Sequence, residues 1–117
     1  PAQTIRSFQE AEAFQGTSLI IAYSHCIAHG IDIASGLQHQ KTMVDAGQWL
    51  LYRYNPDKES PLQLDSKNPK IPVEQFLRTE NRFNQLLKGE GAQELIDASQ
   101  KDVDHRWKMY SYLAALK

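Results

Sequence analysis

The spacing of apolar residues changes several times along the chain, and each change marks an element. Ile5, Phe8, Ala11 and Phe14 recur at intervals that share one helical face, and Gly16 stands where a left-handed residue would stop a helix. A first helix is expected over residues 4–14. Leu19-Ile20-Ile21-Ala22-Tyr23 is a continuous apolar run of strand length without alternation, the pattern of a strand covered on both faces in a parallel sheet. Residues 24–30 carry neither period and end in Gly30, so they read as a loop leaving the C-terminal end of that strand, where ligands sit in open α/β sheets.

Ser35 followed by Gln38 fits a capping box for a second helix that Gly47 ends after Ala46. Trp49 to Tyr54 is β-prone, Asn55-Pro56-Asp57 breaks it, and Leu62-Gln63-Leu64 is a short further strand. Pro72 suits the first turn of a third helix, with Val73, Phe76, Leu77, Phe83 and Leu87 along one side and Glu74 four residues before Arg78. Gly89-Glu90-Gly91 punctuates, and Leu95, Ile96, Val103, Trp107, Tyr110 and Leu113 then repeat at helical spacing in a long amphipathic C-terminal helix over 92–115.

The order α, β, α, β, β, α, α is α/β with a helical end. Two or three strands cannot surround a central run that wants cover on both faces and parallel neighbours. The chain also begins with Pro1 instead of Met, so the expectation is a piece of something longer.

Charge narrows the function classes. Lys and Arg number 13 and Asp and Glu 14, a net charge of −1, which supplies neither the counterion release of general nucleic-acid binding nor a polybasic membrane contact. The single cysteine, Cys26, cannot form an intramolecular bridge, and no apolar run is long enough for a signal segment or a span, which fits a cytoplasmic setting.

Ser24-His25-Cys26-Ile27-Ala28-His29-Gly30 is the most reactive stretch, a thiol between two imidazoles. As a zinc site, Cys26, His25, His29 and His39 offer sulfur and nitrogen, but there is no CxxC pair, and His25 and His29 lie on a loop instead of one helical face. As a nucleophile, Cys26 could be activated by His25 or His29. It could also be a small buried apolar side chain, or one ligand of a site whose other ligands lie elsewhere. Gly89-Glu90-Gly91 is a helix–helix turn, Asp104-His105 a solvated face, and Trp107, Tyr110 and Tyr112 core or interface residues without the basic charge of a base-stacking platform.

Five ordered stretches resemble the C-terminal region of the pyruvate:ferredoxin (flavodoxin) oxidoreductases. They are Tyr23-Ser24-His25-Cys26-Ile27-Ala28-His29-Gly30-Ile31-Asp32, Gln40-Lys41 with Val44-Asp45-Ala46-Gly47-Gln48-Trp49, Leu51-Tyr52-Arg53-Tyr54-Asn55-Pro56, Leu64-Asp65-Ser66-Lys67 and Glu80-Asn81-Arg82-Phe83. They cover residues 14–83. The resemblance implies the C-terminal part of a thiamine-diphosphate-binding parallel-sheet domain over 1–66 and a helical C-terminal extension over 67–117.

It further implies a large cytoplasmic homodimer that decarboxylates pyruvate with thiamine diphosphate and Mg2+ and gives the acetyl group to coenzyme A. Electrons would leave through [4Fe–4S] clusters to ferredoxin or flavodoxin. In that family the cysteine matching Cys26 is the fourth ligand of the cluster nearest thiamine diphosphate, with His25, Ile27 and Ala28 shaping its surroundings and His29 unassigned. Leu50 stands where the family has proline after the tryptophan matching Trp49. The diphosphate motif, the other cluster cysteines, the pyruvate-binding arginine and a two-cluster ferredoxin-like domain are absent from these 117 residues, so the chain alone is expected to be inactive. The competing expectations are an interaction module that docks through its C-terminal helix and a small Cys26-dependent enzyme.

Overall fold

The computed structural model describes residues 2–116. Helix α1 (Ala2–Ala13) is followed by an irregular stretch and single 3₁₀ turns at Ile27–His29 and Ile33–Ser35. Helix α2 (Gly36–Asp45) leads into a hairpin of β1 (Tyr52–Tyr54) and β2 (Leu62–Leu64), then α3 (Val73–Leu77), two more 3₁₀ turns and α4 (Ala92–Ala115). The hairpin is antiparallel, with Tyr52 opposite Leu64 and Tyr54 opposite Leu62.

Mixed helix and sheet is as expected, but the parallel sheet is not found among the described residues. The run 19–23 makes no strand, and Leu19 and Ile21 are 82% and 68% exposed. A strand is completed by ladder partners, and the hairpin pairs only with itself, so the run stays irregular, with residues 19–22 exposed and Tyr23 turned to the core.

The third helix is also shorter than its spacing suggests. The Thr79 hydroxyl donates to the Phe76 carbonyl at 2.6 Å, a local bond that competes with helix propagation, and Glu80 turns to extended backbone at φ −116° and ψ 117°. Phe83 and Leu87 still reach the core from 3₁₀ turns. Helix α2 is not started by a Ser35 capping box. Instead Asp32 accepts the Ala34 N–H at 3.0 Å, and the Ser35 hydroxyl donates back to the Asp32 carbonyl.

The core joins α2, α3 and α4 through Met43, Ala46, Val73, Phe76, Leu77, Leu87, Ile96 and Val103, with Tyr23, Trp49, Ile71 and Phe83 against it. On α4 only Ile96 and Val103 are buried, while Leu95 and Leu113 face outward. Gly47 closes α2 at φ +74°, and a Cβ there would stand 2.7 Å from Pro69 and 2.9 Å from Val103, so neither backbone nor packing admits a side chain.

This core is small for the chain's length. The Cα radius of gyration is 16.3 Å against about 13 Å for a compact domain of this length, over extents of 51 × 31 × 22 Å. The accessible surface is 8309 Å², where a compact 13.4 kDa monomer exposes about 6,500 Å². Much of the excess is apolar, including Ile5 and Phe8 on α1 and Leu19 and Ile21 on the extended run. No helix among the described residues is long and apolar enough to cross a membrane.

Helix α1 buries no residue and is held by charge. Arg53 on β1 donates to both Asp65 carboxylate oxygens at 2.8 and 2.7 Å and also to Glu10, while Gln3 donates to Asp65 at 3.1 Å. The guanidinium hydrogen bonds hold both the Asp65 and the Glu10 carboxyls below their usual values. A depressed carboxyl contributes stability above its unfolded pKa, and that contribution is lost as pH falls through the folded value. We therefore expect acid titration below about pH 4 to release α1 before the core unfolds, seen in far-ultraviolet circular dichroism as loss of one 12-residue helix. Arg53→Met should show the same loss already at neutral pH, and an unchanged helical signal in that variant would contradict the clamp.

Candidate functional site

The loop carrying Cys26 is built by three backbone choices. Cys26 is extended at φ −134° and ψ 137°, its carbonyl accepts the His29 N–H at 3.0 Å, and the Ile27 carbonyl accepts the Gly30 N–H at 2.8 Å. Gly30 then reverses the chain at φ +71°, with its Cα face against Asn81. A Cβ there would lie 2.5 Å from the Asn81 Cβ, and the Gly30 carbonyl accepts the Asn81 N–H at 3.3 Å. The result is one tight turn that presents the Cys26 thiol outward, free and exposed.

The neighbours of the thiol are held from below. Gln40 donates to His25 Nδ1 at 3.0 Å, and the His25 ring covers Gly36 so closely that no side chain fits there. Tyr23 packs on Trp49 with ring centroids 5.7 Å apart, and its hydroxyl lies 3.4 Å from His39 Nε2. Burial, then the nearby Glu80 charge, pushes the Tyr23 phenol up. Ile27 and Ala28, expected to shape a pocket with His25, are exposed on the turn.

Beneath the turn lies a polar cluster. Glu80 is fully buried and His39 nearly so, with Glu80 Oε1 3.1 Å from His39 Nε2 and 3.8 Å from His29 Nδ1, and Glu80 Oε2 paired with Arg82. The Thr79 hydroxyl hydrogen is directed to the Phe76 carbonyl, so the 2.9 Å contact of His39 Nδ1 with Thr79 Oγ1 has the imidazole donating. In the sequence His39 reads only as a zinc donor and Glu80 only as part of a motif. A glutamate in mid-chain reads as solvated, and its one signal was membership in Glu80-Asn81-Arg82-Phe83.

Among the described residues no three His, Cys, Asp or Glu side chains gather as a metal site. What the loop turns outward is the Cys26 thiol, with His25 Nδ1 taken by Gln40, and a lone outward thiol fits one ligand of a site completed by other residues. Other motifs stay apart from it. Gly89-Glu90-Gly91 forms the expected turn into α4, Asp104 and His105 are exposed on that helix, and Tyr110 packs on Tyr52 with centroids 5.0 Å apart. Two open clefts take no residue from the Cys26 loop. One, of 540 Å³, lies between residues 68–72 and α4, and the other, of 310 Å³, between the hairpin and the end of α4.

No protein-family profile matches the chain. Curated relatives do. A pyruvate-flavodoxin oxidoreductase of Trichormus variabilis is 57% identical over 118 residues, covering 96% of this chain and 10% of the relative. A pyruvate:ferredoxin oxidoreductase of Moorella thermoacetica is 39% identical over 97% of this chain and 10% of the relative. A pyruvate dehydrogenase [NADP(+)] of Cryptosporidium parvum is 45% identical over 74% of this chain and 5% of the relative.

An oxidoreductase segment is thus the class that these matches define, and the chain spans about one tenth of the length of the first two relatives. It belongs to the pyruvate:ferredoxin (flavodoxin) oxidoreductases, a family of enzymes.

Proposed function

We propose that the chain works as the C-terminal part of a longer cytoplasmic, homodimeric enzyme that oxidises pyruvate with coenzyme A to acetyl-CoA and CO2 and reduces ferredoxin or flavodoxin. Residues 1–66 belong to its thiamine-diphosphate-binding domain and 67–117 form the helical extension. The observation that carries this reading is identity of 57% across nearly the whole chain to a protein ten times its length. The exposed apolar residues 19–22 support it, because a run patterned for cover on both faces that finds no strand partner here suits a sheet supplied by the rest of the protein. When bound, thiamine diphosphate with Mg2+ supplies the decarboxylation chemistry and the [4Fe–4S] clusters supply one-electron transfer.

This chain's own part is to hold one thiolate. Cys26 is one ligand of a [4Fe–4S] cluster, and the other three lie outside these residues. The Gly30 reversal and the His25–Gln40 contact hold the turn that carries the thiol. Pyruvate, coenzyme A and the electron carrier are handled by other parts of the enzyme, so the isolated chain is inactive.

Anaerobic treatment of the isolated chain with iron and sulfide tests this. The expected result is no cluster surviving gel filtration and no pyruvate-dependent reduction of ferredoxin or flavodoxin. Turnover by the chain alone would overturn the proposal.

A further inference from the structure

We infer that Glu80 is the positioning residue for the Cys26 turn and lowers the reduction potential of the cluster that this turn helps to hold. The inference rests on the reading of Cys26 as a ligand and goes beyond it by assigning what tunes the site. Asn81 bonds to the turn, and its neighbour Glu80 lies directly beneath it without a hydrogen bond to it. Glu80 Oε1 lies 3.8 Å from His29 Nδ1, and the His29 N–H is the one bonded to the Cys26 carbonyl at 3.0 Å. Asn81 meets Gly30 through its side chain and its N–H.

The Glu80 carboxylate is completely buried, yet its Oε1 and the facing His29 Nδ1 have no hydrogen-bond partner. Its charge is offset at Oε2 by Arg82, a side chain 44% exposed, and approached at Oε1 by His39. The groups facing this carboxylate are therefore His29 from the turn, His39 from α2, Arg82 from the following 3₁₀ turn and, through His39, the Tyr23 hydroxyl.

Reducing a cluster held at Cys26 by one electron adds negative charge on the outer side of the turn that this carboxylate underlies. A buried carboxylate disfavours that addition more than a solvated one does, because little water intervenes to screen it. A half-exposed Arg82 opposes the effect only in part. Two substitutions therefore carry opposite signs. Glu80→Gln keeps the shape of the side chain and removes the negative charge, which raises the potential. Arg82→Gln removes the offset, which lowers it by a smaller amount.

The test uses the full-length holoenzyme carrying Glu80→Gln, Arg82→Gln or Cys26→Ala, followed by redox titration with electron paramagnetic resonance, iron and sulfide content, and thermal unfolding. The expected result is wild-type iron content in both charge variants. The cluster abolished by Cys26→Ala should move up in potential in Glu80→Gln and down in Arg82→Gln, with the other clusters unmoved. A purely structural role would show no opposed shifts. Unchanged potentials in both variants, with Cys26→Ala lacking one cluster, would overturn the role of Glu80 alone. If Glu80→Gln does not fold, the downward shift in Arg82→Gln decides. A full cluster complement in Cys26→Ala would overturn the ligand reading from which this inference starts.

Discussion

Ile21→Asp should be silent in the isolated chain and severe in the full-length enzyme. Ile21 is 68% exposed here and belongs to a run with no ladder partner, so a carboxylate at that position replaces an apolar group that already faces solvent. Surface substitutions of this kind stay within about 0.5 kcal/mol, a shift of no more than about 2 °C in the melting temperature of a domain this size. In the longer protein the same residue would occupy a strand covered on both faces, where an unpaired charge costs several kcal/mol and blocks assembly. Circular dichroism of the isolated variant and soluble yield of the full-length one measure the two effects. Equal tolerance in both would show that residues 19–23 are not a buried strand of the larger fold.

The contrast at Ile21 shows what apolar periodicity reports. It reports the environment to which a sequence is adapted, and a segment need not contain that environment. The run 19–23 carries the signature of two-sided cover, while the chain has only the Tyr52–Tyr54 and Leu62–Leu64 hairpin to offer, so the signature goes unanswered. Where the partners do lie within the chain, the pattern matches the structure. Ile96 and Val103 face α2 and α3 from a 24-residue helix with the expected bounds, and Leu62–Leu64 pairs as a short strand.

Misreadings inside the chain have a different origin, which is side chains that bond to the backbone. Thr79 shortens α3 by taking the Phe76 carbonyl, and the Ser35 hydroxyl turns back to the Asp32 carbonyl and leaves the N-terminus of α2 without a side-chain cap. Ser, Thr and Asp carry several competing local options, and apolar spacing does not rank them. The fate of Glu80 was further from view. Its burial depends on His39, which is forty-one positions away and meets it only after α2 and the turn beyond α3 have packed. Cys26, by contrast, was legible at once, because a lone thiol between two imidazoles before a glycine is chemically conspicuous. Its orientation was not, since that depends on Gly30 seating against Asn81.

Cys26→Ala is expected to remove one whole cluster, with no graded effect. The substitution is small, and the thiol is exposed and bears no packing in this chain, so the fold should be unaffected. A four-thiolate site reduced to three ligands loses the bond that completes the iron's coordination, and the remaining cluster is labile. The most direct measurement is iron and acid-labile sulfide content, with spin quantitation of the dithionite-reduced state, on full-length wild-type and Cys26→Ala enzymes purified anaerobically. The expected result is a variant that lacks one [4Fe–4S] cluster, keeps the others at wild-type stoichiometry and loses electron transfer from pyruvate. A variant with the full complement of iron, sulfide and spins would contradict it.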